Sequence, residues 1–333
     1  MPAPLRVVSF GLGPIGLAAA SLLLGKQSLE LVGAIDVDPD KVGRDLAELL
    51  GREEPTGIAV DADAEAALDR LLPDVVVHCT SSFLPEVQEQ LLACVRRGAS
   101  VVSSTEELLV ADHQHPELAA ALDAAAIEGR ASIVGAGVNP GFSMDYLAIV
   151  ASAATSNVSG VRCVRVVDAA TRREPLQRKV GAGLSKAEFH RELDAGGFGH
   201  IGMRESVALV ARGLGFELDR IEQTVEPVFA PEDHKTAFLV VKEGEVAGIR
   251  NCGYGYVGPR AVVHLDLSMF VGAPDPHDLV ELESAPPVTL RFPDGIPGDE
   301  ATAAILVNHL AGVDAAPDGL RTVLEVPVPR VAR

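Results

Sequence analysis

The chain has 333 residues, which at roughly 150 residues per domain points to two domains. A hydrophobic fraction of 47% with 23% charged residues excludes a disordered or fibrous chain, and 4% aromatics with no Trp offer no stacking platform for single-stranded nucleic acid. The net charge of −19 repels phosphate backbones and anionic lipid, so neither nucleic acid nor a membrane surface is an expected partner.

In chain order, the first third alternates buried-strand patterns with helical ones. Continuous apolar runs occupy residues 5–10, 29–36, 74–80, 99–103 and 131–135, and helical apolar spacing occupies residues 16–24, 41–50, 84–97 and 117–130. This alternation predicts βαβ units and a Rossmann-type doubly wound parallel sheet, an α/β fold. Pro85 fits the first turn of its helix, where the missing N–H costs nothing. The pattern changes near residue 142. Residues 144–156 read as a helix, 161–169 as a strand, the stretch to Gly199 as polar and Gly-rich, and 200–214 as a helix. From 222 to 292 strand patterns dominate: QTVEPVFA, TAFLVVKEG, EVAGIR, AVVHLDLSMF and PVTLRF. Turns such as KEGE between them predict an α+β domain with a mostly antiparallel sheet. A helix over 299–310 and a strand-like LRTVLEVPV close the chain. The expected division is a dinucleotide-binding domain over 1–142, with 299–333 packing back on it, and a substrate-binding and dimerisation domain over 143–298.

Four cysteines, at 79, 94, 163 and 252, show no C-x-x-C spacing and read as reduced thiols in a cytoplasmic protein. No signal-peptide pattern opens the sequence, and no run of about 18 apolar residues predicts a membrane span. With no H-E-x-x-H and no paired C-x-x-C, no metal is expected.

Gly11-Leu12-Gly13-Pro14-Ile15-Gly16 is G-x-G-x-x-G, directly after a strand and opening a helix. Its glycines suit a tight turn, close approach to a pyrophosphate and close helix–strand packing. Asp36 ends the second strand, where an acid accepts a ribose 2′-hydroxyl and favours NAD. Lys41 and Arg44 follow and could pair with the 2′-phosphate of NADP, so both NAD and NADP are expected cofactors. Further contacts are expected from later strand ends: Cys79, Thr80, Ser81 and Ser82, then Ser103, Ser104 and Thr105. Those hydroxyls equally suit ordinary helix capping.

Glu106 and Glu107 follow the strand ASVVS at the crevice edge. A carboxylate there can act as general base and stabilise a substrate cation, or can simply complement a helix dipole. Asn139 begins the turn Asn139-Pro140-Gly141-Phe142, where its amide could touch cofactor or substrate. Arg172, Arg173, Arg178 and Lys179 form a basic cluster suited to an anion or to a salt-bridged loop. His200 heads the next helix as a substrate contact or a cap.

The segments DAATRREPLQRKVGAGLSKAEF, GHIGMRES, VVSSTEEL and GAGVNPGFSMD resemble the 2,4-diaminopentanoate dehydrogenase family and its relatives, the native amine dehydrogenases. The resemblance covers nearly the whole chain. It implies a first domain similar to that of dihydrodipicolinate reductase and a sheet domain that forms a homodimer. It also implies NAD(P)-dependent interconversion of a small amine with an aldehyde or ketone plus ammonia. The family's essential glutamate follows the fifth strand, a place that Glu106 and Glu107 match alike. The His-His signature and catalytic Lys of dihydrodipicolinate reductase are absent, and Leu108 after Glu107 departs from the Glu-Lys-Pro of sugar dehydrogenases. An amino-acid substrate such as 2,4-diaminopentanoate would call on Arg172, Arg173 or Arg178. A simple aliphatic amine or carbonyl would call on Phe142, Met144 and Phe198. A non-catalytic NAD(P)-binding sensor is the alternative of another class, against which the Thr105-Glu106-Glu107 motif speaks.

Overall fold

The computed structural model describes residues 3–196 and 198–333. It divides into two compact units: the residues up to Gly141 together with Pro297–Arg333, and Phe142–Ile296.

In the first unit, β1 (Leu5–Phe10), α1 (Pro14–Leu23) and β2 (Leu29–Ile35) are followed by α2 (Leu46–Leu49), β3 (Val60–Asp61) and α3 (Ala64–Leu71). Next come β4 (Val75–His78), α4 (Leu84–Val95), β5 (Ser100–Ser103), α5 (Ala111–Gln114), α6 (Pro116–Gly129) and β6 (Ser132–Gly135). Every strand pairing here is parallel, in the order β3-β2-β1-β4-β5-β6. Val7, Val8, Val76, Val101 and Ile133 are fully buried, which is why these strands read as continuous apolar runs rather than alternating ones. Prolines open α1, α4 and α6, where no intrahelical N–H is lost.

The helix expected over 41–50 shrinks to α2 alone. Gly43 adopts φ +79°, and the Asp45 side chain accepts from the N–H groups of Ala47, Thr56 and Gly57, tying a loop instead. Helix α3 went unread in the sequence, although Asp63 caps it by accepting from Ala66 N.

The second unit contains α7 (Tyr146–Ser152), β7 (Val158–Asp168), α8 (Glu174–Lys179), α9 (Lys186–Asp194) and α10 (Met203–Leu214). Strands β8 (Arg220–Phe229), β9 (His234–Lys235), β10 (Val240–Val241), β11 (Val246–Val257), β12 (Arg260–Phe270), β13 (His277–Ser284) and β14 (Val288–Pro293) follow. Five of them join β7 in a sheet of order β14-β13-β7-β12-β11-β8, antiparallel except for the β12–β7 pair. Helices α7 and α10 pack on this sheet around Val161, Cys163, Val207, Val210, Leu265 and Val280.

Several sequence expectations shift here for local reasons. The helix expected from 144 starts at Tyr146, where the buried Asp145 side chain accepts from Tyr146 N. The Gly-rich stretch hides α8 and α9, the latter begun by a reciprocal Ser185–Glu188 capping box. The helix expected from 200 begins at Met203, behind Gly202 at φ +88°. The TAFLVVKEG segment is not one strand, because Thr236 Oγ1 accepts from Phe238 N and Leu239 N and turns the chain before β10. Strand β13 was missed because a buried position in it holds Asp278. Arg165 Nη1 lies 2.7 Å from both Asp278 oxygens, and Arg165 Nη2 donates to Ile296 O at 2.6 Å.

The chain then returns to the first unit. Helix α11 (Gly298–Asp314) packs on α1 and over β4, β5 and β6, and β15 (Gly319–Arg321) pairs parallel with β6 at the end of the sheet. The rest of the strand-like tail is irregular. Among the described residues no helix is long and apolar enough to cross a membrane.

Candidate active site

The Gly-rich turn is shaped by what it has no room for. A Cβ on Gly16 would lie 1.8 Å from the Gly11 carbonyl oxygen, and one on Gly11, at φ +89°, would lie 2.4 Å from Cys79 O. Gly13 differs: a Cβ there would meet nothing within 4 Å. The turn is therefore closed towards the sheet and open at the N-terminus of α1, where first-turn N–H groups and the helix dipole favour an anion. That is a cradle fit for a dinucleotide pyrophosphate. Leu12 is buried, Pro14 sits at the helix start and Ile15 is partly exposed beside it.

Asp36 locks this turn to the end of β2. Its Oδ2 accepts from Leu12 N at 2.7 Å and from Lys41 Nζ at 3.1 Å, and its Oδ1 accepts from Asp38 N at 2.9 Å. Burial works to raise the Asp36 carboxyl, but these bonds outweigh it and hold the pKa below the usual value. Lys41 is shared between Asp36 and Asp38, and Arg44 pairs with Glu48 and donates to Asp40 O. Both cations thus have protein partners of their own.

The strand ends beyond the turn form one buried polar network. His78 is fully buried, with Nδ1 2.9 Å from Ser103 Oγ and Nε2 2.8 Å from Gln90 Oε1 and 3.0 Å from Thr80 Oγ1. Ser103 Oγ accepts from Thr105 N at 3.1 Å and donates to Thr105 Oγ1 at 3.0 Å, and Thr105 Oγ1 donates to Ser81 O at 2.8 Å. Ser103 and Thr105 were expected to offer hydroxyls to the cofactor. They are 0% and 1% exposed with their hydroxyls bonded inside the protein, so that expectation is corrected: they hold the loops. Ser81 Oγ donates to Glu86, and Ser104 N donates to His78 O at 2.9 Å. Burial pushes the Cys79 thiol up to about 12, so it stays neutral. Ser82 O accepts from Glu107 N. The sequence signal for the network was one His inside an otherwise apolar strand, DVVVHCT, and it went unread.

The two glutamates part company. Glu107 Oε2 accepts from Leu84 N at 2.8 Å and lies 3.0 Å from His115 Nε2, with 13% of the side chain exposed. Leu84 opens α4, so Glu107 caps that helix. Glu106 begins a 3-10 turn, Glu106–Leu108, and is partly exposed. Asn139 lies beyond β6 in a turn where Gly141 at φ +116° leaves 2.7 Å between a Cβ and Gly137 N.

The remaining candidates belong to the second unit. Met144 is 1% exposed within the apolar core and packs rather than lines a pocket, which corrects its expected substrate role. Phe142 approaches the Tyr146 ring at 6.3 Å, and Phe198 stacks on Phe189 at 4.5 Å. Arg178 pairs with Glu174 one helical turn away, and Arg173 is the residue before α8. His200 N donates to Asn251 Oδ1 at 2.6 Å. The sheet also brings Cys252, His264 and Asp266 together, each ligand atom within 4.8 Å of the others. Both Asp266 oxygens are taken by Arg250, which outweighs burial and keeps the carboxyl below its usual pKa.

Burial also sets a pH dependence. It pushes the His78 pKa from 6.5 down to about 4. The unfolded chain therefore binds more protons than the native one between those values, and stability declines as pH falls from 6.5 towards 4. The His78 share of that loss is about 3 kcal/mol at most. Urea unfolding at stepped pH is expected to show a shallower decline in His78→Leu than in the parent; identical slopes would refute the assignment.

The family model for the 2,4-diaminopentanoate dehydrogenase C-terminal domain matches residues 142–333, and that for the dihydrodipicolinate reductase N-terminus matches residues 5–134. The sequence is 30% identical to 2,4-diaminopentanoate dehydrogenase of Acetoanaerobium sticklandii across 98% of this chain and 94% of that one. It is 29% identical to an amine dehydrogenase of Streptomyces virginiae across 66% of this chain and 62% of that one. The solved structure of an amine dehydrogenase from Mycobacterium smegmatis matches with a TM-score of 0.86 at 27% identity, covering 99% of this chain and 98% of that one. A dihydrodipicolinate reductase from a Paenisporosarcina species shares the fold, with a TM-score of 0.53 at 16% identity over 97% of this chain and 98% of that one. The chain therefore belongs to the 2,4-diaminopentanoate dehydrogenase family of NAD(P)-dependent oxidoreductases.

Proposed function

We propose that the protein interconverts a small amine with an aldehyde or ketone plus ammonia, with Glu106 as its catalytic carboxylate. The observation that supports the assignment is that Glu107 serves the start of α4, bonded to Leu84 N and close to His115, while Glu106 opens the 3-10 turn partly exposed. Bound NAD(P) supplies the hydride chemistry, held by the turn Gly11–Gly16, by Asp36 and by the loop after β4. In the aminating direction, Glu106 takes a proton from ammonium, so that ammonia adds to the carbonyl carbon. It returns a proton to the hydroxyl that leaves as water. The resulting carboxylate then faces the cationic iminium and stabilises it.

The direct test is cofactor oxidation with ammonia and a panel of small aldehydes, ketones and oxo acids. On the best substrate, Glu106→Gln is expected to lower turnover at least about a hundredfold with cofactor affinity within a few-fold. Glu107→Gln is expected to cost about 1 kcal/mol of stability and little turnover. Full activity in both variants would refute a catalytic carboxylate in this motif, whereas no cofactor oxidation with any member of the panel would favour a cofactor-binding sensor.

Cofactor choice turns on Asp36. Asp36→Ala removes the acceptor for a ribose 2′-hydroxyl and leaves Lys41 with Asp38 as its remaining acidic partner. Titration is expected to show weaker NAD binding with NADP binding equal or tighter; unchanged NAD affinity would refute the placement.

We further propose that the protein is a homodimer through its second unit. Tyr254 stacks on His264 at 4.7 Å, and Arg220 lies 3.8 Å over the Tyr256 ring, giving one sheet face an aromatic and cationic character suited to an interface. Light scattering should return about twice the 34.8 kDa chain mass, and a monomer at micromolar concentration would count against it.

A further inference from the structure

The reaction needs Glu106 held in place, and the buried network shows how. Thr105, the residue before Glu106, is fixed by its N–H to Ser103 Oγ and by its hydroxyl to Ser81 O. Glu107, the residue after it, is fixed by its N–H to Ser82 O and its carboxylate to Leu84 N. The glutamate backbone is therefore gripped from both sides by the loop that follows β4.

Of the two holds on Thr105, the one through Ser103 leads back to an anchor in β4. Ser103 bonds to His78, and His78 bonds in turn to Gln90 on α4 and to Thr80. An imidazole suits this place because its two nitrogens lie on opposite edges of a rigid ring, so one side chain spans two strands. His78 and Ser103 are buried and Gln90 is partly buried, so a bond lost between His78 and Ser103 is not replaced by water, although Thr80 is exposed.

We propose that His78 is a positioning residue for Glu106, acting through Ser103 and Thr105. The inference rests on the reading of Glu106 as the catalytic carboxylate. His78 makes no contact with the reacting atoms in this scheme; it fixes where β5 releases the chain into the Glu106 turn.

Two variants cut the chain at its ends. His78→Leu removes the anchor, yet Thr80 and Gln90 keep each other at 2.7 Å and Ser103 keeps Thr105. Thr105→Val keeps the β-branched shape and removes the hydroxyl bonds to Ser103 and to Ser81 O, while the Thr105 N–H keeps its bond to Ser103 Oγ. Each is expected to lower kcat by about tenfold or more while cofactor KM stays within a few-fold, because misplacement of a catalytic group is costly and binding is not. The deciding measurement is a double-mutant cycle with Glu106→Gln. In that background each variant should change kcat by less than about twofold, since no carboxylate remains to be placed. Equal fold-losses in both backgrounds, or a lowered Tm with unchanged kcat at permissive temperature, would overturn the proposal. Full turnover in Glu106→Gln alone would remove the functional reading and this inference with it, whereas additive losses remove only this inference. Should His78→Leu fail to fold, Ser103→Ala, which removes the one hydroxyl between His78 and Thr105, carries the same cycle.

Discussion

Two adjacent strands of the first unit end on polar side chains that cannot reach water. His78 and Ser103 are both 0% exposed, and leaving either unpaired would cost about 1–3 kcal/mol. Their partners are each other, Gln90 of α4 and the loops that leave the strands. Satisfying them forces the loop after β4 and the loop after β5 to converge. In a doubly wound sheet those carboxyl-end loops are where ligands bind. An apolar pair at the same positions would pack as well and leave each loop to find its own path.

A second carboxylate performs a similar service on the other side of β1. Asp36 ties Leu12 N, Asp38 N and Lys41 into one cluster, so the Gly-rich turn is fixed before any ligand arrives. Preorganised donors lose little freedom on binding, which is how a short turn holds a charged group. The packing at Gly16 acts in the same direction, because any side chain there would push the helix off the turn.

The first unit was legible because parallel strands buried on both faces have a single sequence signature, a short run of apolar residues. Legibility failed where a polar residue held a buried position or a side chain replaced a backbone partner. Asp278 broke the apolar alternation of β13, and only its pairing with Arg165, 113 residues away, explains it. Gly43 and Asp45 stopped a helix that apolar spacing alone predicted. Within the site, the G-x-G-x-x-G turn was readable because its chemistry is local. The roles of Ser103 and Thr105 were not, since a hydroxyl in sequence looks the same whether it faces a ribose or a buried imidazole. Met144 was misread for the corresponding reason, an apolar residue being equally suited to pocket and core.

The pair Glu106–Glu107 shows why neighbouring carboxylates do not duplicate one another. On a 3-10 turn, with about three residues per turn, successive side chains leave the axis about 120° apart. Only one of them can reach the N-terminus of α4, and Glu107 does so. The helix dipole is then served, and the backbone N–H that would compete for a second carboxylate already has its partner. Assigning that duty to Glu107 therefore keeps the α4 N-terminus from claiming Glu106. With identical side chains, the difference between the two positions comes from the backbone alone: one residue decides which carboxylate meets Leu84 N.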